Sequence, residues 1–164
     1  MSNRIRNVLI VIGVLSIIGF LTVILVYPVD RYEQVRCREQ LKAIGYAVQV
    51  YKSDHGQLPH QISVLSNELI NPDLLICPGS GHTVGNFSKA DSWADYTFID
   101  WFTYFGTNSV PTDYPLLYDH SLSDHDGEGI NICDANGYVH WDPHAEWLKK
   151  FAVRHSNYTI PIPK

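Results

Sequence analysis

The sequence predicts an α+β chain: an N-terminal transmembrane helix that continues into an amphipathic helix, packed on a small antiparallel β-sheet. Three observations predict it. Val8–Tyr27 (VLIVIGVLSIIGFLTVILVY) is a twenty-residue run without a charge, and a helix of that length rises about 30 Å, the hydrocarbon thickness of a bilayer. Beyond Pro28, Cys37, Leu41, Ile44, Val48 and Tyr51 recur at steps of 4, 3, 4 and 3, one apolar stripe on an otherwise charged helix. Near the C-terminus, two alternating runs flank Asn136–Gly137, a strong short-range hairpin signal.

The apolar run comes first in the chain. Fifteen of its residues are Val, Ile, Leu or Phe, worth roughly −5 to −9 kcal/mol for insertion before Gly, Ser and Thr subtract. Arg4 and Arg6 precede it with no acid nearby, so the positive-inside rule places the N-terminus in the cytoplasm and the rest outside. A cleavable signal peptide is the rival, with a core of about 7–15 residues and a small-residue cleavage site. Here the core is longer and YPVDRYEQV follows it. The organisation is therefore residues 1–7 as a cytoplasmic N-terminus, 8–28 as the membrane helix and 29–164 as one extracytoplasmic domain. Setting Arg4 and Arg6 aside leaves ten Lys and Arg against 17 acidic residues, a net charge near −7. That balance excludes nucleic acid as a partner.

The amphipathic helix closes at Asp54–His55–Gly56, with Gly56 as its left-handed stop. Ile62–Leu69 reads as a short helix or turn and Pro72 through Gly85 as loop. Tyr96–Ile99 and Leu116–Tyr118 read as strands. Gly129–Ala135 and Tyr138–Asp142 make a hairpin. A two-residue type I′ loop at Asn136–Gly137 pairs Ala135 with Tyr138, Cys133 with His140 and Ile132 with Trp141. Ile130, Ile132, Val139 and Trp141 then share the face that meets the Cys37–Tyr51 stripe. Asn131, Cys133, His140 and Asp142 take the other. His144–Phe151 reads as a helix with Asp142 as N-cap and Pro143 at its first position.

This register sorts the cysteines. Cys37 lies on the buried stripe as a small core residue. Cys133 on the outer face and Cys77 in a loop form the expected disulfide, in an oxidising compartment.

Several short segments resemble type IV pilins and the pseudopilins of type II secretion. RCREQLKAIGYAVQVYKSDHGQLP is similar to the segment where their long helix ends in an Asp- or Asn-rich turn before Leu-Pro or Phe-Pro. GINICDANGYVHW is similar to the end of the bacterial pilin-like proteins with an H-X9-DG domain, and LLICPGS to the Cys-Pro segment of that group. Here ten residues separate His125 from Asn136–Gly137, where the group has nine and Asp-Gly. The resemblance implies a pilin-like fold and a non-enzymatic structural subunit of a type IV pilus or type II secretion apparatus. It implies a single pass through the cytoplasmic membrane, with other pilin-like subunits as partners through the N-terminal helix. Pilin precursors are cut after a Gly and carry Glu at the fifth mature position. Cutting at Gly13–Val14 or Gly19–Phe20 places Ile18 or Ile24 there. The alternative is a standalone anchored domain that binds a glycan or a metal.

Candidate chemistry concentrates in YDHSLSDHDGEG, which holds Asp119, His120, Asp124, His125, Asp126 and Glu128. Asp124, Asp126 and Glu128 offer alternate oxygens on a Gly-bearing loop, as Ca²⁺ requires. A zinc reading takes His120, His125 and His140, without a spacing motif to fix the geometry. The plain reading is a polar turn before a strand, and it is preferred, with no cofactor. Cys77 has His82 nearby but no orienting third group, and GSG at Gly79–Gly81 is not a nucleophile elbow. Trp93, Tyr96, Trp101, Phe102, Tyr104 and Phe105 read first as core, with stacking on sugar rings as the functional alternative.

Overall fold

The computed structural model describes residues 3–69, 71–105 and 110–164, with side chains throughout except those of 3–6, 8, 9 and 23–31. The chain divides into two units, Met1–Tyr32 and Glu33–Lys164. Helix α1 spans Asn3–His55. In the first unit Ile10, Val11, Ile12, Val14, Leu15, Ile17, Ile18, Phe20 and Leu21 stand 48 to 67% exposed. No helix among the described residues is long and apolar enough to cross a membrane. Part of the expected span (Val8, Leu9 and residues 23–28), with Arg4 and Arg6, falls on side chains outside the described ones.

In the second unit the α1 stripe behaves as its spacing requires. Cys37, Leu41, Ile44 and Val48 are completely buried and Tyr51 is half-buried. The helix stops where Gly56 turns left-handed at φ +69° and returns its N–H to the Lys52 carbonyl at 2.9 Å, the single-bond αL cap. Short 3₁₀ turns follow at Ile62–Asn67, Pro72–Leu75 and Phe87–Ser92. The Asp91 carboxylate ties the first to the last by accepting from Ile62 N at 2.7 Å and Ser63 N at 3.3 Å.

Strands β1 (Tyr96–Phe98), β2 (Pro115–Asp119), β3 (Gly129–Asp134) and β4 (Val139–Pro143) form one antiparallel sheet in sequence order. A short helix α2 (Trp101–Phe105) lies between β1 and β2, and helix α3 (Glu146–Arg154) follows β4. The α+β class and the strand positions match the sequence reading.

The hairpin register does not. Asn131 pairs with Trp141, Ile132 with His140 and Cys133 with Val139, one residue away from the expected pairing. The cause is the turn. Gly137 N donates to the Asp134 carbonyl at 2.8 Å and Asp134 N to the Tyr138 carbonyl at 2.9 Å. Gly137 has φ +85°, while Asn136 is not among the described residues with positive φ. That is a three-residue loop, a type I turn closed by a left-handed Gly, and not the I′ turn, which needs positive φ at both positions. A slip of one residue exchanges the faces. Asn131, Cys133, Val139 and Trp141 therefore share the face toward α1, and Ile130, Ile132, His140 and Asp142 take the far face.

Both faces are covered, which is why all six residues of β3 are buried. On the far side His140 meets Trp147 of α3 edge-on at 5.2 Å. The Tyr118 hydroxyl donates to the Pro161 carbonyl at 2.5 Å, holding the C-terminal tail there. Helix α3 also departs from expectation. Pro143 ends β4, and His144 and Ala145 are left-handed at φ 52° and 55°, so the helix begins only at Glu146. Asp142 still caps it, accepting from Trp147 N and Leu148 N at 2.9 Å each.

Candidate functional site

The register change carries Cys133 away from the outer face. All three cysteines are free and buried, so the expected Cys77–Cys133 disulfide is not formed. Cys133 lies against Gly45 of α1, where burial and the nearby Asp134 push its thiol up to about 12. Cys77 lies with Cys37 instead, and with a third group the sequence had placed elsewhere. Sγ of Cys37, Sγ of Cys77 and a ring nitrogen of His125 all lie within 4.8 Å of one another.

Each member is positioned by a different element. Cys37 comes from the α1 stripe. Cys77 sits in the Cys-Pro loop, whose backbone is pinned by Asp95: Cys77 N donates to Oδ2 at 2.9 Å and Ser80 Oγ donates to the same oxygen at 2.5 Å. His125 ends the 3₁₀ turn Leu122–His125, which Asp126 closes in the left-handed region at φ 53°. Gly79 lets the two loops meet. A Cβ there would stand 2.0 Å from the Asp124 carbonyl oxygen, so no other residue permits this approach without a backbone shift.

Asp119, at the end of β2, is the charge at the centre. It is fully buried and accepts four hydrogen bonds. Cys37 Sγ donates to Oδ1 at 3.0 Å. Oδ2 accepts from Asn131 N at 2.6 Å and Asn131 Nδ2 at 3.1 Å, and contacts His125 Nε2 at 3.0 Å. A buried carboxylate needs this degree of satisfaction. The same His125 Nε2 lies 3.9 Å from Cys77 Sγ, and Tyr96 Oη lies 3.2 Å from Cys37 Sγ.

The electrostatics separate the two thiols. Burial, the hydrogen bond to Cys77 and the Asp119 charge all drive Cys37 upward, so it stays protonated. The neighbouring Cys37 side chain, opposed by burial and aided by His125, lowers Cys77 to about 7. Burial disfavours the imidazolium of His125, but hydrogen bonding to Asp119 and Cys77 outweighs it and raises that group to about 10. The arrangement is an anion, a cation and a thiol of low pKa in a dry pocket. It does not form a nucleophilic triad, because Cys77 and Asp119 address the same imidazole nitrogen where a triad uses both.

The other expected ligands are not brought together. Among the described residues, the only group of three or more His, Cys, Asp or Glu with converging ligand atoms is Cys37, Cys77 and His125. Asp124 is buried and raised to about 6 by burial and by the Asp95 and Asp119 charges, whereas Asp126 and Glu128 point to solvent. They make no calcium cage. Nor do His120, His125 and His140 meet: His120 pairs with Thr97 Oγ1 at 3.1 Å and His140 lies 3.6 Å from Asp134 Oδ2. The aromatic centre is largely core, with Trp101 1% exposed and its ring 5.2 to 5.8 Å from those of Tyr104, Phe105, Tyr114 and Tyr158. An open cleft of about 650 Å³ lies on the surface, lined by His60, His82, Trp93, Asp95, Thr97 and His120 among others.

The sequence reading singles out each member separately, Cys37 on its stripe, Cys77 as a disulfide partner, and Asp119 and His125 in the acidic, His-bearing turn, but does not join them. Positions 37, 77, 119 and 125 share no spacing motif, and tertiary structure alone brings them together. Comparison of the chain with protein-family models, with curated proteins and with solved structures finds no match.

Proposed function

We propose that the chain is a membrane-anchored, pilin-like structural subunit of a type IV pilus or type II secretion apparatus, acting through helix packing and not through chemistry. The observation that supports this is the first unit. Every residue from Ile10 to Thr22 is exposed, and most are large and apolar. A continuous apolar surface of this kind needs lipid or neighbouring helices around it. The second unit fits the same reading, since a long helix with one buried stripe against an antiparallel sheet is how a pilin-like domain is built.

The test is intact-mass analysis of the protein extracted from its native membranes, with crosslinking before extraction. A cut, N-methylated chain crosslinked to other pilin-like subunits is the expected result. Recovery in the soluble fraction would remove the anchor. An uncut chain in the membrane, crosslinked to nothing, would leave the second reading, a standalone anchored domain that binds a ligand outside the membrane. Ile18 and Ile24 at the fifth position after the two candidate cuts favour that second reading.

A further inference from the structure

We propose that Cys37, Cys77 and His125, with Asp119 beside them, form a buried site for one thiophilic divalent cation of the zinc class. The donor types come first. Two sulfurs and an imidazole nitrogen suit zinc-like ions and exclude calcium and magnesium, which take oxygen. Spacing comes second. Tetrahedral zinc holds sulfur at about 2.3 Å and nitrogen at about 2.0–2.1 Å, so an S–N edge is about 3.5 Å. Cys77 Sγ and His125 Nε2 are 3.9 Å apart, and both lie within 4.8 Å of Cys37 Sγ. Asp119 Oδ1 is 3.0 Å from Cys37 Sγ and Oδ2 is 3.0 Å from His125 Nε2, so its carboxylate flanks two of the three ligands.

Burial is the third consideration. Cys37, Cys77 and Asp119 are fully buried and His125 is 8% exposed. Gathering a carboxylate, an imidazolium and two thiols in a core is costly unless something repays their desolvation. A cation bound by the two sulfurs and the imidazole, with the carboxylate beside it, does so. The surrounding shell is already in place: Asn131 N and Nδ2 hold Asp119, Tyr96 Oη contacts the Cys37 sulfur, and Asp95 pins the Cys77 backbone. Such partners fix ligand orientation in metal sites.

Binding is a proton exchange with no redox change. Cys37 gives up its S–H proton, His125 its Nε2 proton, and Cys77 whatever fraction remains protonated. All leave to solvent as the cation bonds to the two sulfurs and the nitrogen. The competing fate of the same two sulfurs is a Cys37–Cys77 disulfide. That linkage would use neither His125 nor Asp119, which is why the geometry favours a cation.

The test uses the full chain in detergent, purified under reductant, stripped with chelator and dialysed against Co²⁺ as the probe. About one Co²⁺ per chain is expected, with a near-ultraviolet thiolate-to-cobalt band that Zn²⁺ abolishes. Cys37→Ser and Cys77→Ser should each lose the band, Cys133→Ser should keep it, and Asp119→Asn should weaken binding at least about tenfold. In the unmodified protein, Zn²⁺ should slow alkylation of Cys37 and Cys77 and leave Cys133 unaffected, a readout that does not depend on any variant folding. Absence of the band, an undiminished band in a folded Cys77→Ser, or metal-independent alkylation would each overturn the proposal. So would a Cys37–Cys77 linked peptide in protein that takes up no metal after reduction.

Discussion

The Sγ of Cys133 lies 2.7 Å from where a Cβ on Gly45 would stand. Helix α1 and strand β3 approach so closely there that only a glycine fits beneath the sulfur. Gly45 is therefore in mid-helix for a packing reason, although glycine costs about 1 kcal/mol relative to alanine in such a position.

Gly45→Ala sets these two effects against each other. Overpacking a filled core costs about 1–3 kcal/mol, which exceeds the propensity gain of about 1 kcal/mol. Net destabilisation is expected, a fall in Tm of about 2–4 °C for each kcal/mol lost in a chain of this size. Adding Cys133→Ala should relieve the clash, so the double-mutant cycle should show a coupling of about 1 kcal/mol or more. Gly45→Ala raising Tm, with no coupling to Cys133, would mean that Cys133 does not face the helix and that the I′ register holds after all.

That register marks where sequence reasoning stopped. The α1 stripe was legible because one face of a helix can be read from spacing alone, and Gly56 was legible because a left-handed stop favours glycine. The hairpin was legible as a hairpin. Its register was not, because Asn136–Gly137 serves equally as a I′ pair or as the last two residues of a three-residue loop, and the choice rests on the φ of Asn136. One residue of slip then moved Cys133 inward and Ile132 outward to the side of α3. The cluster was illegible for a different reason. Cys37 looked like an ordinary small core residue, and nothing within the sequence around Cys77 or His125 indicates that both converge on it.

Asp142 tests the start of α3. The residues just before the helix are left-handed and supply no side-chain cap, so its first N–H groups depend on a carboxylate three residues upstream of Ala145. Asp142→Ala leaves Trp147 N and Leu148 N without that acceptor, and Leu148 is fully buried. A loss of about 1–3 kcal/mol is expected, with Asp142→Asn retaining part of it. Amide exchange should locate the effect at residues 146–148. Faster exchange spread evenly over the sheet would show that Asp142 acts on the strand and not as the cap.

His82 supplies a pH-dependent handle outside the cluster. Its Nδ1 lies 2.6 Å from Asp95 Oδ1, a hydrogen bond that raises the imidazole above its ordinary value, with the Asp95 charge adding to it. A raised folded-state pKa gives stabilisation that is complete below the unfolded titration and is lost as pH rises through the folded value. The ring is well exposed, so the effect is read best by NMR titration and not by melting. The His82 midpoint should lie above the ordinary histidine value and fall back in Asp95→Asn. A midpoint at or below the ordinary value in the unaltered protein would show that the pair is not formed in solution.

The tail gives the last prediction. Tyr118 is completely buried, and its hydroxyl donates to the Pro161 carbonyl at 2.5 Å. Two further bonds, from Leu122 N at 3.0 Å and Ser121 Oγ at 3.1 Å, fasten the Lys164 carbonyl. The tail IPIPK cannot be helical, so it is held to the sheet by bonds of this kind and by Ile160, which is 8% exposed. Tyr118→Phe removes one hydroxyl and leaves the ring, so the core stays filled. The partner carbonyl belongs to an exposed proline and regains a bond to water, so the cost should stay near 1 kcal/mol. The local effect should be larger than the global one: faster carboxypeptidase trimming of residues 161–164 and faster exchange at Thr159 and Ile160, with Tm lowered by only about 2–4 °C. Unchanged trimming would show that Tyr118 does not hold the tail. A fall in Tm several times larger would show instead that the hydroxyl supports the sheet itself.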